Sequence, residues 1–208
     1  MWLILAFCSA ALLGFYDVCK KHALSGNAVL PVLFLNTAIC SLLFLPFIIL
    51  SSYTGLLDSS SFYVEPCGWE QHRYILLKAC IVLSSWIFGY FAMKHLPITI
   101  VGPINATRPV MVLVGALLVF GERLNVWQWA GVTLAIISFF LLKRSGKKEG
   151  VDFRHNKWIF SLILAAVLGA VSGLYDKYLM APPENGGVGL SRMVVQSWYN
   201  LYQLAMMG

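Results

Sequence analysis

The feature that most constrains this chain of 208 residues is a series of long apolar runs separated by short polar breaks. A helix that crosses the hydrocarbon layer of a bilayer, which is roughly 30 Å thick, needs about 20 residues. Runs of this length lie near residues 2–19, 30–50, 74–94, 97–120, 125–143 and 158–179, and a seventh begins near 190. They lack the strict alternation of transmembrane barrel strands. The sequence therefore predicts an all-α, polytopic transmembrane helical bundle with the lipid bilayer as its solvent.

Composition supports a membrane protein and argues against several other classes. Hydrophobic residues make up 59% of the chain and charged residues only 12%, which is more apolar surface than a soluble core of this length needs. The formal net charge of +6 comes from Lys and Arg residues in the polar breaks, where they set membrane orientation, so no nucleic-acid partner is expected. The five cysteines have no metal-ligand spacing, and neither a metal nor a cofactor is expected.

The sequence also predicts how the chain is organised along its length. A basic break at residues 144–157 separates an N-terminal part, residues 1–143, from residues 158–208. The seventh run continues to Gly208 without a polar flank, so we expect a second half that is truncated after about two helices.

A weak internal repeat relates the two parts. Gly14-Phe15-Tyr16-Asp17 near the end of the first run is echoed by Gly173-Leu174-Tyr175-Asp176 near the end of the sixth, and Asn36 is echoed by Asn200. If five runs form one repeat, the odd number turns the second copy upside down in the bilayer. Inverted five-helix repeats are typical of secondary transporters, whose substrate site lies near the midplane between the repeats.

The region from residue 97 to 143 carries a pattern found in a known family. Its parts are Pro109, then Gly121-Glu122-Arg123-Leu124 after an apolar stretch, then Gln128 and Gly131, and finally an apolar stretch that ends in Lys143-Arg144. In this pattern the chain resembles the EamA-like branch of the drug/metabolite transporter superfamily. The resemblance implies two five-helix repeats, of which residues 1–143 are the first and residues 158–208 part of the second.

The first run departs from the pattern of that family. Gly14 and Lys21 match, but Leu13 replaces the usual Trp, and Tyr16-Asp17 stand where Asn-Phe would be usual. Because the first span lines part of the pocket in such transporters, the departure leaves the substrate class open.

Two polar residues near the middle of the fourth run are candidates for substrate binding. Arg108 follows Asn105 by one helical turn, so both side chains share a face, and Pro103 and Pro109 remove backbone hydrogen bonds there. An Arg and an Asn on a loosened helix suit an anionic or zwitterionic ligand. The alternative is that Arg108 pairs with a carboxylate or backbone carbonyls and ties helices together.

Two carboxylates occupy matching positions in the repeat. Asp17 and Asp176 could each load and release a proton as their surroundings change during transport. The alternative is a static ion pair with a neighbouring cation, which for Asp17 is Lys21 one turn later and for Asp176 is Lys177.

Four further side chains are candidates for lining a substrate pocket. These are Tyr16, Asn36, Tyr90 and Tyr175. For the tyrosines the alternative is a place in the aromatic belt at the membrane interface.

Together these observations predict a secondary transporter of a small polar metabolite, such as an amino acid, in the plasma (inner) membrane. Its partners would be the substrate and the bilayer, with a coupling proton if Asp17 and Asp176 act as proposed, and a homodimer stays open. No catalytic residue is predicted, because the sequence holds no phosphate loop or nucleophile triad. The alternatives are a membrane-embedded enzyme for a lipid-linked substrate and a helical scaffold that transports nothing.

Charge predicts the orientation. The breaks after the first, third and fifth runs are basic, with Lys20, Lys21 and Lys94 among their residues, which places them in the cytoplasm and the N-terminus outside. A Ser145→Cys variant should therefore react with a membrane-permeant maleimide but not with an impermeant one in intact cells. The parent chain, with its five cysteines, sets the background. Labelling of Ser145→Cys from outside would contradict this orientation.

Overall fold

The computed structural model describes residues 2–58, 60–121, 125–146 and 156–208, and within these ranges every regular element is helical. The α-helices are α1 (Trp2–Leu24), α2 (Val29–Tyr53), α3 (Trp69–His95), α4 (Ile98–Ala106), α5 (Arg108–Phe120), α6 (Val126–Gly146), α7 (Lys157–Met180) and α8 (Arg192–Met207). Short 3₁₀ turns cover Gly55–Leu57 and Pro183–Asn185. The Glu122-Arg123-Leu124 part of the family pattern and most of the basic break, residues 147–155, lie outside the described residues.

The predicted all-α, polytopic membrane fold is confirmed. Among the described residues, four helical stretches are both long and apolar enough to cross a membrane: Val29–Tyr53, Trp69–His95, Ile98–Phe120 and Lys157–Met180. Large apolar side chains such as Phe160 and Leu43 are 71% and 63% exposed. A soluble protein rarely exposes so many apolar residues, whereas lipid solvates them well.

The first helix is longer than the apolar run that predicted it. The run ends near residue 19, whereas α1 continues through Lys20, Lys21 and His22 to Leu24. Apolar length reports only the part of a helix that lies in hydrocarbon, and a helix continues past it when its polar side chains find partners.

The fourth span is interrupted at Thr107, between α4 and α5. Thr107 keeps right-handed helical dihedrals, with φ −77° and ψ −16°, so the two segments follow each other without a loop between them. Pro109 has no N–H to donate to the preceding turn, and the Thr107 amide and hydroxyl both donate to the carbonyl oxygen of Ile104, at 3.2 and 2.7 Å. The loosening predicted from the prolines is therefore present, and it places Arg108 at the first position of α5.

The chain divides into two compact units. Unit 1 consists of Met1–Val32 and Ile87–Val167, and unit 2 consists of Leu33–Trp86 and Leu168–Gly208. Helices α2, α3 and α7 contribute residues to both units, although only the first four residues of α2 belong to unit 1. The predicted repeats are residues 1–143 and 158–208, on either side of a linker. They are defined by sequence repetition and not by compactness, so they stay a prediction.

Helix α4 forms the centre of unit 1. It contacts α1, α5 and α6, and its residues Ile100, Val101 and Ile104 are almost completely buried. These three residues form the packed side of α4, whereas Thr99 and Ala106 are exposed.

A lysine joins two helix ends in unit 1. The Lys21 ammonium on α1 donates to the carbonyl oxygens of Met93 and Leu96, at 2.5 and 2.8 Å, and more weakly to that of Lys94. These carbonyls belong to the last turn of α3 and the residue after it, where no intrahelical donor remains. A cation at a helix C-terminus also interacts favourably with the helix dipole.

Unit 2 has its own apolar core, formed by α2, the N-terminal part of α3, the C-terminal part of α7, and α8. Its most buried members are Ile75, Ala79, Leu179, Val194 and Val195. The core is bordered by a polar contact in which the Ser41 hydroxyl on α2 donates to the carbonyl oxygen of Asn200 on α8 at 2.8 Å. Helix α8 is capped by Ser191, whose side chain accepts from the amide of Val194.

Replacing Lys21 should destabilise the protein. In Lys21→Met the carbonyls of Met93 and Leu96 lose a charged donor, which costs about 1 to 3 kcal/mol. For a chain of this size each kcal/mol corresponds to about 2 to 4 °C in Tm. Thermal unfolding in detergent should show the loss, while Lys157→Met, which removes an exposed lysine at the start of α7, should not. An unchanged Tm in Lys21→Met would show that water replaces the ammonium.

Candidate functional site

Unit 1 contains a cluster of polar side chains around the Lys20 ammonium. The ammonium lies 2.8 Å from a carboxylate oxygen of Asp17, one turn earlier on α1. It also lies over the rings of Tyr16 and Tyr90, 4.8 and 5.1 Å from their centroids, in the geometry of cation–π contacts. The two tyrosine hydroxyls are 3.1 Å apart and hydrogen-bond each other across α1 and α3. The side chains of Lys20 and Asp17 are only 14% and 20% exposed, so this pair is largely removed from water.

Arg108 adds a second cation to this cluster. A Cβ built at Gly89 of α3 would lie 4.0 Å from the Arg108 Nη2 atom, so the guanidinium lies against α3 at this glycine. Arg108 is close enough to attract the Asp17 carboxylate and to repel the Lys20 ammonium. One carboxylate therefore faces two cations, and the cluster carries one positive charge in excess.

Two of the predicted site residues in unit 1 each have a buried polar atom without a hydrogen-bond partner. These atoms are the Nε atom of Arg108 and the Oδ1 atom of Asn105. A buried donor or acceptor that stays unpaired costs about 1 to 3 kcal/mol, and native structures hold few of them. An unmet donor and an unmet acceptor one turn apart are what a polar ligand with both an anionic oxygen and an N–H or O–H group would satisfy.

The remaining predicted site residues lie in unit 2. Asp176 on α7 pairs with the Lys78 ammonium of α3, and the hydroxyl of the adjacent Tyr175 donates to the Tyr74 carbonyl oxygen at 3.2 Å. The half-buried Asn36 lies on α2. The predicted residues therefore form two groups, with Tyr16, Asp17, Tyr90, Asn105 and Arg108 in unit 1 and Asn36, Tyr175 and Asp176 in unit 2.

The ion pairs differ from those expected on the alternative, structural interpretation. Asp17 pairs with Lys20 rather than Lys21, because the Lys21 ammonium is held by the end of α3. Asp176 pairs with Lys78 from another helix. Spacing along one helix predicts only local partners, and Lys78 is 98 residues away from Asp176.

Sequence reasoning missed Lys20 and Lys78 as site residues. A signal for both was present, since each is a charged residue in or beside an apolar run, where a charge needs a partner. Among the described residues no group of three or more His, Cys, Asp or Glu side chains is placed to hold a metal ion.

Comparison with known proteins identifies the family. The family model described as the EamA-like transporter family matches residues 1–144. The chain is also similar to UDP-galactose transporter homolog 1 of Kluyveromyces lactis, with 23% identity over 84 residues, 39% of this chain and 25% of the yeast protein. The match thus spans about a quarter of that relative's length, and no solved structure matches the chain. Because the family model covers well over half of its residues, the chain belongs to the EamA-like transporter family.

Proposed function

We propose that the protein is a secondary transporter of a small polar metabolite that carries an anionic group, such as an amino acid, and that it works by alternating access. The observation that carries the proposal is the pair of unmet polar atoms on Asn105 and Arg108, together with the electrostatic interaction of Arg108 with the Asp17–Lys20 pair. Membership of the EamA-like transporter family supports transport as the class of function.

The charge of the cluster favours a substrate with an anionic group. Lys20 and Arg108 exceed the single carboxylate of Asp17 by one charge, and the guanidinium offers parallel N–H donors to a carboxylate or phosphate. The Oδ1 atom of Asn105 can accept from an amine or hydroxyl of the same ligand. An amino acid provides both groups, and so does a nucleotide sugar of the kind in the yeast relative's name.

The Asp17–Lys20 pair also suits proton coupling. A substrate anion that binds Arg108 and Lys20 competes with the Asp17 carboxylate for its cations. Losing a nearby cation makes the protonated carboxylate more favourable, so substrate binding and proton uptake are linked by charge. Asp176 faces Lys78 in a comparable way and is the second candidate for this role.

The rival functions have less support. An enzyme for a lipid-linked substrate needs acid, base or metal-binding residues together at the membrane interface, and the described residues hold no metal-binding group. In a scaffold that transports nothing, we would expect buried polar atoms to be paired, because native structures hold few unpaired ones. Location in the plasma (inner) membrane and a homodimer belong to the proposal as further expectations.

Replacing Arg108 should impair substrate binding. In Arg108→Gln one charged contact to the substrate anion is lost, which corresponds to about a tenfold or larger rise in the Kd or KM. The measurement is counterflow in proteoliposomes loaded with a mixture of amino acids and nucleotide sugars. Lys157→Gln removes the same charge from an exposed position in unit 1 and should leave counterflow unchanged. Normal counterflow in Arg108→Gln would exclude this cluster as the substrate site.

Removing the carboxylate should separate two modes of transport. In Asp17→Asn no proton can be loaded at this position, so uptake driven by an imposed proton gradient should fail while substrate exchange persists. The same pair of assays applies to Asp176→Asn. Loss of both modes together with poor expression would assign the carboxylate a structural role, and unchanged gradient-driven uptake would remove it from the mechanism.

A further inference from the structure

Unit 2 contains a cavity that the proposed substrate site in unit 1 does not use. Its volume is about 420 Å³, within the range of pockets that hold small organic ligands. The residues that line it come from the C-terminal parts of α2 and α7, the start of α8, the α2–α3 loop and Lys78 of α3. The cavity therefore lies at the end of unit 2 where the α2–α3 and α7–α8 loops emerge.

One wall of this cavity is aromatic. Phe44 and Phe47 on α2 and Phe62 in the following loop line it, and the rings of Phe47 and Phe62 stack with their centroids 5.4 Å apart. Two methionines and a valine contribute most of the remaining apolar surface. Such a lining buries the apolar body of a ligand and stacks against a flat one.

The polar groups of the cavity are Lys78, Asp176, Arg192 and Gln196. The Lys78 ammonium is 5% exposed, and it is compensated by the Asp176 carboxylate and by the Tyr199 ring at 4.7 Å. Arg192 is exposed, and within the described part of the chain no carboxylate pairs with it. The cavity thus contains one positive charge in excess, because Arg192 has no carboxylate partner there.

This charge balance favours a ligand with a negative charge. An anion can bind Arg192 and share the Lys78 ammonium with Asp176, which leaves the site neutral. A cation would have to displace Lys78 from Asp176 and would leave two uncompensated positive charges next to it, a costly arrangement in an apolar cavity.

We propose that the cavity of unit 2 binds an amphiphilic organic anion, with its carboxylate or phosphate on Arg192 and Lys78 and its apolar body against Phe44, Phe47 and Phe62. Such an anion has two sources, a free aromatic or alkyl acid and the head group of an anionic lipid. The proposal is independent of the substrate site in unit 1, because it uses none of the residues of that unit, and it shares only the Lys78–Asp176 pair with the proton-coupling hypothesis.

Binding of 2-naphthoate to the protein in phosphatidylcholine nanodiscs tests this site. Arg192→Gln should weaken binding about tenfold, since it removes one charged contact. Phe62→Leu should weaken it about threefold, since it removes an aromatic partner. The matched control is Arg73→Gln, which removes an exposed arginine of unit 2 that pairs with Glu70 outside the cavity. It should bind like the parent protein.

The sign of the ligand is tested with 2-naphthylmethylammonium, which has nearly the same body and the opposite charge. The proposal requires that this cation bind at least tenfold more weakly than 2-naphthoate. Absence of saturable naphthoate binding, equal weakening in Arg73→Gln, or tighter binding of the cation would each overturn it. Arg108→Gln should leave naphthoate binding unchanged, so failure here and failure of the proposed transport function are distinguishable.

Nanodiscs that contain phosphatidylglycerol identify the source. If a lipid phosphate occupies the cavity, this lipid weakens naphthoate binding to the parent protein more than to Arg192→Gln. A simple effect of membrane surface charge would weaken both equally. Equal weakening would therefore assign the cavity to a free organic acid, and selective weakening to a lipid head group.

Discussion

The rest of this structure depends on the cost of leaving a polar group unpaired in a medium without water. Helices satisfy their own backbone inside hydrocarbon, but side-chain charges and helix ends need partners supplied by other helices. Lys21 is bound by the end of α3, Lys20 by Asp17 and two tyrosine rings, and Lys78 by Asp176 and Tyr199. Each buried ammonium thereby fixes the position of one helix relative to another within its unit.

The polar groups differ in how completely they are paired. Lys21 has all its donors directed at carbonyls and belongs to the architecture. Arg108 and Asn105 each keep one buried polar atom without a hydrogen-bond partner, and Ser197 and Gln203 in unit 2 also have such atoms. Each of these atoms costs stability as long as it stays unpaired. Functional sites often trade stability for activity in this way.

Much of the fold was predictable from the sequence, because apolar runs of spanning length have few structural solutions in a bilayer. The helix ends were less predictable, as α1 shows by continuing five residues past its apolar run. At the site, Tyr16, Asp17, Tyr90 and Arg108 were predicted as candidates and lie together in unit 1. Their common partner Lys20 was not, and neither was the Lys78–Asp176 pair. A contact between residues 98 positions apart depends on helix packing, which periodicity in one sequence does not report.

The interruption at Thr107 has a consequence for how α5 can move. Helix α5 begins directly after it and has 13 residues, so it is a segment roughly 20 Å long. A rotation of about 10° at Thr107 would move Phe120, at the far end of α5, by roughly 3 Å. Arg108, next to Thr107, would hardly move. The position of the guanidinium is therefore nearly independent of such a rotation, whereas the far end of α5 is displaced by it.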